Sequence, residues 1–131
     1  MHKILWGILI LASSLMAQMQ NVWVTPQFVT QGIKIIDIRT PGEWKETGIV
    51  NGSHTIMFFD ENGRFDIPTF INTLDKIVKK DEQFALICRT GSRTSEVSKF
   101  LSDKLGYNVI NLMGGIVKLQ SEGYHLAPYK E

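Results

Sequence analysis

The chain is 131 residues long, with 44% hydrophobic and 21% charged residues and a formal net charge of +1. That length supports one hydrophobic core and is too short for two full-sized domains, and the composition is that of a folded globular protein, not a disordered or collagenous one. The near-neutral charge, with no run of five like charges, argues against a nucleic-acid partner.

The opening "MHKILWGILILASSLMAQ" has the three-part layout of a secretory signal: Lys3 in a short leading region, an apolar run from Ile4 to Ala12, then small and polar residues before Ala17. The apolar run is shorter than the ~20 residues of a bilayer-spanning helix. The expectation is therefore export to a periplasmic or secreted location, cleavage near Ala17 after a signal of residues 1–17, and no stable membrane span afterwards. Loss of Lys3 leaves 13 basic and 13 acidic residues, a neutral mature domain from about residue 20 to 131.

Val22 to Val24 is a short strand candidate, and "TPQFVTQG" offers one or two helical turns with Thr25 as N-cap, Pro26 at the first position and Gly32 as stop. "KIIDI", Lys34 to Ile38, is β-branched and apolar, a central strand. "RTPGEW" supplies Thr40 as N-cap and Pro41 as first residue of a helix to about Glu46, before Gly48. Thr55 to Phe59 is strand-like and "DENG" a turn. Apolar residues at 67, 70, 71, 74, 77 and 78 describe one helical face, with Asp66 as cap, Pro68 near the start and Lys79 and Lys80 in the last turn. "FALIC" is a buried strand ending at Cys88. Val97, Phe100, Leu101 and Leu105 mark a helix that stops at Gly106. "NVINL" is a further strand, "MGG" a turn, and Ile116 to Glu122 a last short helix. Strands that alternate with helices and are apolar on both faces imply an α/β fold with a central, mostly parallel sheet of about five strands, covered by helices on both sides.

Cys88 is the single cysteine, so no internal disulfide can form. It stands at the carboxyl end of a strand, where open α/β sheets bind ligands, and directly before a helix. In "CRTGSR" the helix N-terminus, the loop amides and the guanidinium groups of Arg89 and Arg93 would all favour thiolate over thiol and would hold an anion. A small, inert, buried strand-end thiol beside a turn is the alternative on these local facts.

Beyond that loop, four ordered segments resemble the rhodanese family of sulfurtransferases over almost the whole mature chain. "DIRTPGEW" is similar to the family's D-x-R-x-x-x-E-[FYW], "GIVNGS" to its G-H-I-x-G-A, "CRTGSR" to its C-x-x-G-x-R loop, and "NLMGGIVKLQSEGY" to its L-x-G-G-[IFM]-x-x-W-x-x-x-G-[YFL]. The resemblance implies a rhodanese-like sheet flanked by helices, with Cys88 as the nucleophile that receives a sulfane sulfur. Arg89, Thr90, Gly91, Ser92 and Arg93 would form the cradle, Arg93 also locking the loop. It implies a small anionic sulfur donor such as thiosulfate and a thiol, cyanide or partner-protein acceptor. The intermediate would be a covalent cysteine persulfide, with no metal or organic cofactor. Ile49 stands where many relatives have histidine, and Leu119 replaces the usual tryptophan; both are expected to be packing changes.

Asp37, Arg39 and Glu43 are expected to form a structural ion-pair group near the loop, Arg39 being the one to reach the site, because carboxylates beside a thiolate would oppose its charge. His54 and His125 lack partners at ligand spacing. Gly114 and Gly115 suit a tight turn, and Trp44, Phe58 and Phe59 the core. Two other functions share these features: a persulfide carrier for a partner protein, and a cysteine phosphatase or arsenate reductase. Family loops of the latter kind place five residues between cysteine and arginine, whereas four stand here.

Overall fold

The computed structural model describes residues 18–131; the expected export segment, residues 1–17, lies outside them. Five strands are β1 (Met19–Trp23), β2 (Ile35–Asp37), β3 (His54–Thr55), β4 (Phe84–Ile87) and β5 (Val109–Met113). Four α-helices are α1 (Pro41–Thr47), α2 (Ile67–Leu74), α3 (Ser92–Leu105) and α4 (Gly115–Ser121). The strands form one sheet in the order β1-β5-β4-β2-β3, every pairing parallel. None of the helices described is long and apolar enough to cross a membrane.

Strand periodicity divides the core into two layers. Ile36, Phe84, Leu86 and Val109 face a layer closed by Phe70 and Leu74 of α2 and Val97 and Leu101 of α3. Ile35, Ala85, Ile87 and Ile110 face the opposite layer, closed by Ile116 and Leu119 of α4. Strands buried on both faces account for the uninterrupted apolar runs in the sequence. Leu119 is fully buried.

Capping follows the local sequence closely at two helices. At α1 the Thr40 hydroxyl accepts from Glu43 N while the Glu43 carboxylate accepts from Thr40 N, a capping box with Pro41 in the first turn. At α2 the Asp66 carboxylate accepts from Thr69 N at 3.1 Å. Gly106, at φ +76°, ends α3.

The "TPQFVTQG" segment holds a single 3-10 turn, Phe28–Thr30, with Thr25 Oγ1 accepting from Phe28 N. Two elements are shorter than their sequence suggests. Helix α2 stops at Leu74, so Lys79 and Lys80 lie outside it. A tertiary partner takes a main-chain group there: Lys34 Nζ donates to Ile77 O at 2.8 Å, while Tyr107 anchors the turn by donating to the Asp75 carboxylate at 2.6 Å. Ile77 N bonds back only three residues, to Leu74 O, in the tighter geometry of a helix ending. Strand β3 is two residues long, although Ile56 N and Phe58 N still donate to Asp37 O and Ile38 O. Beyond it Phe58 turns into an aromatic cluster, 4.8 Å from the Phe59 ring and 4.9 Å from that of Phe70.

Candidate active site

Strand β4 delivers the chain to Cys88 at the carboxyl edge of the sheet, between β5 and β2, and α3 starts four residues later. The turn between them depends on Gly91. Its φ of +100° is a left-handed conformation that other residues resist, and it places Gly91 as the N-cap of α3. From that position the Gly91 N–H donates to Cys88 Sγ at 3.2 Å. The thiol is 1% exposed and also has Thr94 Oγ1 at 3.6 Å. The first N–H groups of α3 have no intrahelical partner, so the sulfur lies where a helix presents partial positive charge.

The loop is held from below by α4. Ile116 N donates to Cys88 O and Val117 N to Arg89 O, both at 3.0 Å. That approach requires Gly115: a Cβ there would lie 2.5 Å from both of those carbonyl oxygens. Gly91 itself packs over Gly114, where a Cβ on Gly91 would sit 3.2 Å from Gly114 N. The "MGG" turn is thus the floor under the cysteine loop as well as the start of a helix.

Arg93 clamps the loop from the side. Its two terminal nitrogens each meet one Glu43 carboxylate oxygen at 2.8 Å, a bidentate pair. Glu43 is held down to a pKa of about 2, first by this bond to Arg93 and further by the Thr40 N–H, against the opposing effect of partial burial. The same bond raises the Arg93 guanidinium above its ordinary range. One carboxylate therefore caps α1 and fixes the far end of the cysteine loop.

Asp37 and Arg39 form a separate, buried group. Arg39 Nε and Nη2 reach the Asp37 carboxylate at 2.8 to 3.2 Å, and Arg39 also donates to Thr47 Oγ1 and Gly48 O. Asp37 Oδ1 accepts in addition from Trp44 Nε1 at 3.1 Å. This network ties the end of β2 to the middle and the C-terminal end of α1 and so positions Glu43. Glu43 makes the hydrogen-bonded contact with the cysteine loop, while Arg39 lines the cleft that Glu43 shares with Arg89. Gly48, which accepts from Arg39, is followed by Ile49, whose N–H and carbonyl exchange two 2.8 Å bonds with Ala127. Trp44 and Phe58 are buried, and Phe59 packs half-buried against the same core layer.

Arg89 is exposed and, among the described residues, makes no ion pair or side-chain hydrogen bond; with Arg93 committed to Glu43, it is the free cation of the loop. It lines a cleft of about 470 Å³ together with Glu43, Glu46, Val117 and Gln120. On the other side, Thr90, Gly91 and Ser92 border a shallower cleft of about 390 Å³ with the exposed Trp23. The Thr90 and Ser92 hydroxyls are 3.4 Å apart. Among the described residues, no group of three His, Cys, Asp or Glu side chains is placed to hold a metal ion.

Thr94 is the residue at this site that reading the loop motif alone omits. Its signal was present: positions 94, 97 and 101 share one face of α3, so a threonine heads an otherwise apolar stripe. Trp44 is the second case, because an aromatic at a core position gives no sign that its N–H serves a buried carboxylate.

Residues 20–122 match the family described as "Rhodanese-like domain". The chain is 34% identical over 88 residues to "Putative sulfurtransferase YtwF" of Bacillus subtilis (strain 168), covering 67% of this chain and 74% of that one. It is 28% identical over 96 residues to "Protein HIGH ARSENIC CONTENT 1, mitochondrial" of Arabidopsis thaliana, covering 72% of this chain but only 56% of that protein's length. A rhodanese-related protein from Thermoplasma volcanium shares the fold with a TM-score of 0.61 at 24% identity, over 82% of this chain and 98% of its own. A rhodanese-like domain protein from Staphylococcus aureus does so with a TM-score of 0.59 at 19% identity, again over 82% and 98%.

Proposed function

The chain belongs to the rhodanese-like domain family, and from that premise we propose that it is a sulfurtransferase carrying a sulfane sulfur on Cys88 between an anionic donor and a thiophilic acceptor. The observation that carries the reading is Cys88 Sγ at the base of a glycine-turned loop, with the Gly91 N–H on the sulfur and the loop's end fixed by Arg93 on Glu43. The name of the Bacillus relative supports the same activity.

In the proposed reaction the Cys88 thiolate attacks the outer sulfur of thiosulfate. A sulfur–sulfur bond forms to Cys88, the donor's own sulfur–sulfur bond breaks, and sulfite leaves with the bonding pair. The negative charge now on the outer sulfur of the persulfide is met by the Gly91 N–H and the α3 N-terminus. A thiolate or cyanide then attacks that outer sulfur and displaces the Cys88 thiolate, closing a two-step covalent cycle. Arg89 attracts the donor anion to the loop. With no second cysteine in the sequence, the acceptor is always another molecule, a small thiol, cyanide or a partner protein.

Intact mass after incubation with thiosulfate tests the first step: a gain of one sulfur is expected on the parent and none on Cys88→Ser. A variant that still turned over normally would overturn the mechanism. Steady turnover with cyanide or a small thiol separates a catalyst from a persulfide carrier, which would load once and stop. Four residues between Cys88 and Arg93 make a bowl smaller than the five-residue loops of cysteine phosphatases, so no hydrolysis of p-nitrophenyl phosphate is expected. Export behind residues 1–17 belongs to the same proposal, and N-terminal sequencing of the mature protein should begin near Gln18.

A further inference from the structure

We propose that Thr94 is a positioning residue for Cys88, its single hydroxyl proton turning from the Gly91 carbonyl to the cysteine sulfur when that sulfur becomes anionic. The inference rests on the reading of Cys88 as the sulfur-carrying nucleophile and adds a side-chain donor to a sulfur otherwise met by the Gly91 backbone N–H.

Thr94 is fully buried in the first turn of α3. Its Oγ1 lies 3.2 Å from Gly91 O, to which it donates, and 3.6 Å from Cys88 Sγ. A hydroxyl has one proton and two lone pairs. With a thiol, the three groups form a chain: S–H donates to Oγ1, and O–H donates to Gly91 O. Once the sulfur is a thiolate it has no proton to give and can only accept. The same oxygen then serves it by rotating its O–H toward Sγ, beside the Gly91 N–H already there.

Two features make the rotation inexpensive. Gly91 O also accepts from Ser95 N at 3.1 Å, so it keeps a partner when the hydroxyl turns away. The oxygen itself need not move, because only the O–H rotor changes. A threonine in a helix commonly bonds the carbonyl three or four residues back, and that habit alone would explain the bond to Gly91. It does not explain the sulfur on the other side of the same oxygen in a buried site.

The test uses Cys88 alkylation by iodoacetamide as a function of pH, which needs no sulfur donor and reports the only cysteine. Thr94→Val keeps the shape and removes the hydroxyl. Its alkylation midpoint is expected about one pH unit higher, a tenfold loss of thiolate on the acid side, the size expected of one hydrogen bond to a charged group. Thr94→Ser should return the midpoint to within ~0.3 unit of the parent. A valine variant that folds and titrates like the parent would overturn the proposal. Should valine not fold, the S–H stretch in the Raman spectrum of the unmodified protein decides. A band lowered by donation to Oγ1 is expected, and one at the free-thiol position refutes the relay. Normal sulfur loading in a valine variant with an unshifted midpoint would remove Thr94's role and leave the sulfurtransferase reading standing. A shifted midpoint in a protein that takes up no sulfur would do the reverse.

Discussion

Gly115→Ala should distort the cysteine loop although it replaces no residue of it. Gly115 has φ +60°, a conformation costing an alanine about 1 kcal/mol. The larger effect is steric. The new methyl would sit 2.5 Å from Cys88 O and from Arg89 O, and 2.6 Å from Arg89 C, all rigid backbone. Relieving the overlap even to the 3.0 Å limit requires a separation of at least about half an ångström, which lengthens the bonds from Ile116 N and Val117 N to those carbonyls, each worth about 1 kcal/mol. The combined destabilisation is about 3 kcal/mol, equivalent in a domain of this size to a fall in Tm of roughly 10 to 15 °C. The displaced backbone carries Cys88 with it, so sulfur uptake from thiosulfate should slow about tenfold, given that a 1 Å misplacement can cost about 100-fold. Thermal unfolding by circular dichroism and loading kinetics by mass would measure both. Gly123→Ala is the control: φ is +90° but no atom lies within 4 Å of the added methyl, so only the backbone cost applies. If the two variants behaved alike, the idea of α4 as the floor of the loop would be refuted.

The Glu43–Arg93 clamp should appear in the acid limb of stability. Glu43 titrates at about 2 in the folded protein against 4.5 for the free side chain, so its contribution is complete above pH 4.5 and is lost as pH falls toward 2. Because the pair is about a quarter exposed, the expected effect after solvent screening is ~1 kcal/mol, measured as the difference in urea stability between pH 6 and pH 3. Glu43→Gln should flatten that difference; an unchanged pH dependence would refute the assignment. Arg93→Lys cannot reproduce the two parallel bonds, so loop order and loading rate should fall even though the charge is kept, and parent-like kinetics would show that charge alone suffices. Trp44→Phe removes one donor from the buried Asp37 and should cost about 1 to 2 kcal/mol in urea unfolding, with no change in the pH dependence of Cys88 alkylation.

Local chemistry is enough to recognise most of the fold. Apolar runs of strand length, helical spacing of core residues, and the caps Thr40, Asp66 and Gly106 all act within a few residues of where they stand. Where local signals were overruled, a distant partner did it: Lys34 takes the Ile77 carbonyl past the end of α2, and the Phe58 cluster draws the chain away from β3. The cysteine loop was legible for a similar reason, since a lone thiol, a glycine and an arginine at short spacing are read within six consecutive residues.

What the sequence determined by itself, then, is the alternation of elements, their parallel arrangement, and Cys88 at a strand end before a helix. Which arginine stays free was a tertiary decision. The motif marks Arg93 as the arginine that locks the loop, but its partner Glu43, 50 residues upstream, is supplied only by the fold, and it neutralises Arg93 while leaving Arg89 free. The floor beneath the loop was decided in the same way, by α4 arriving from the next strand and meeting the Cys88 and Arg89 carbonyls. A one-dimensional pattern records which groups are available, whereas hydrogen bonds are made between groups that chain folding brings within about 3 Å.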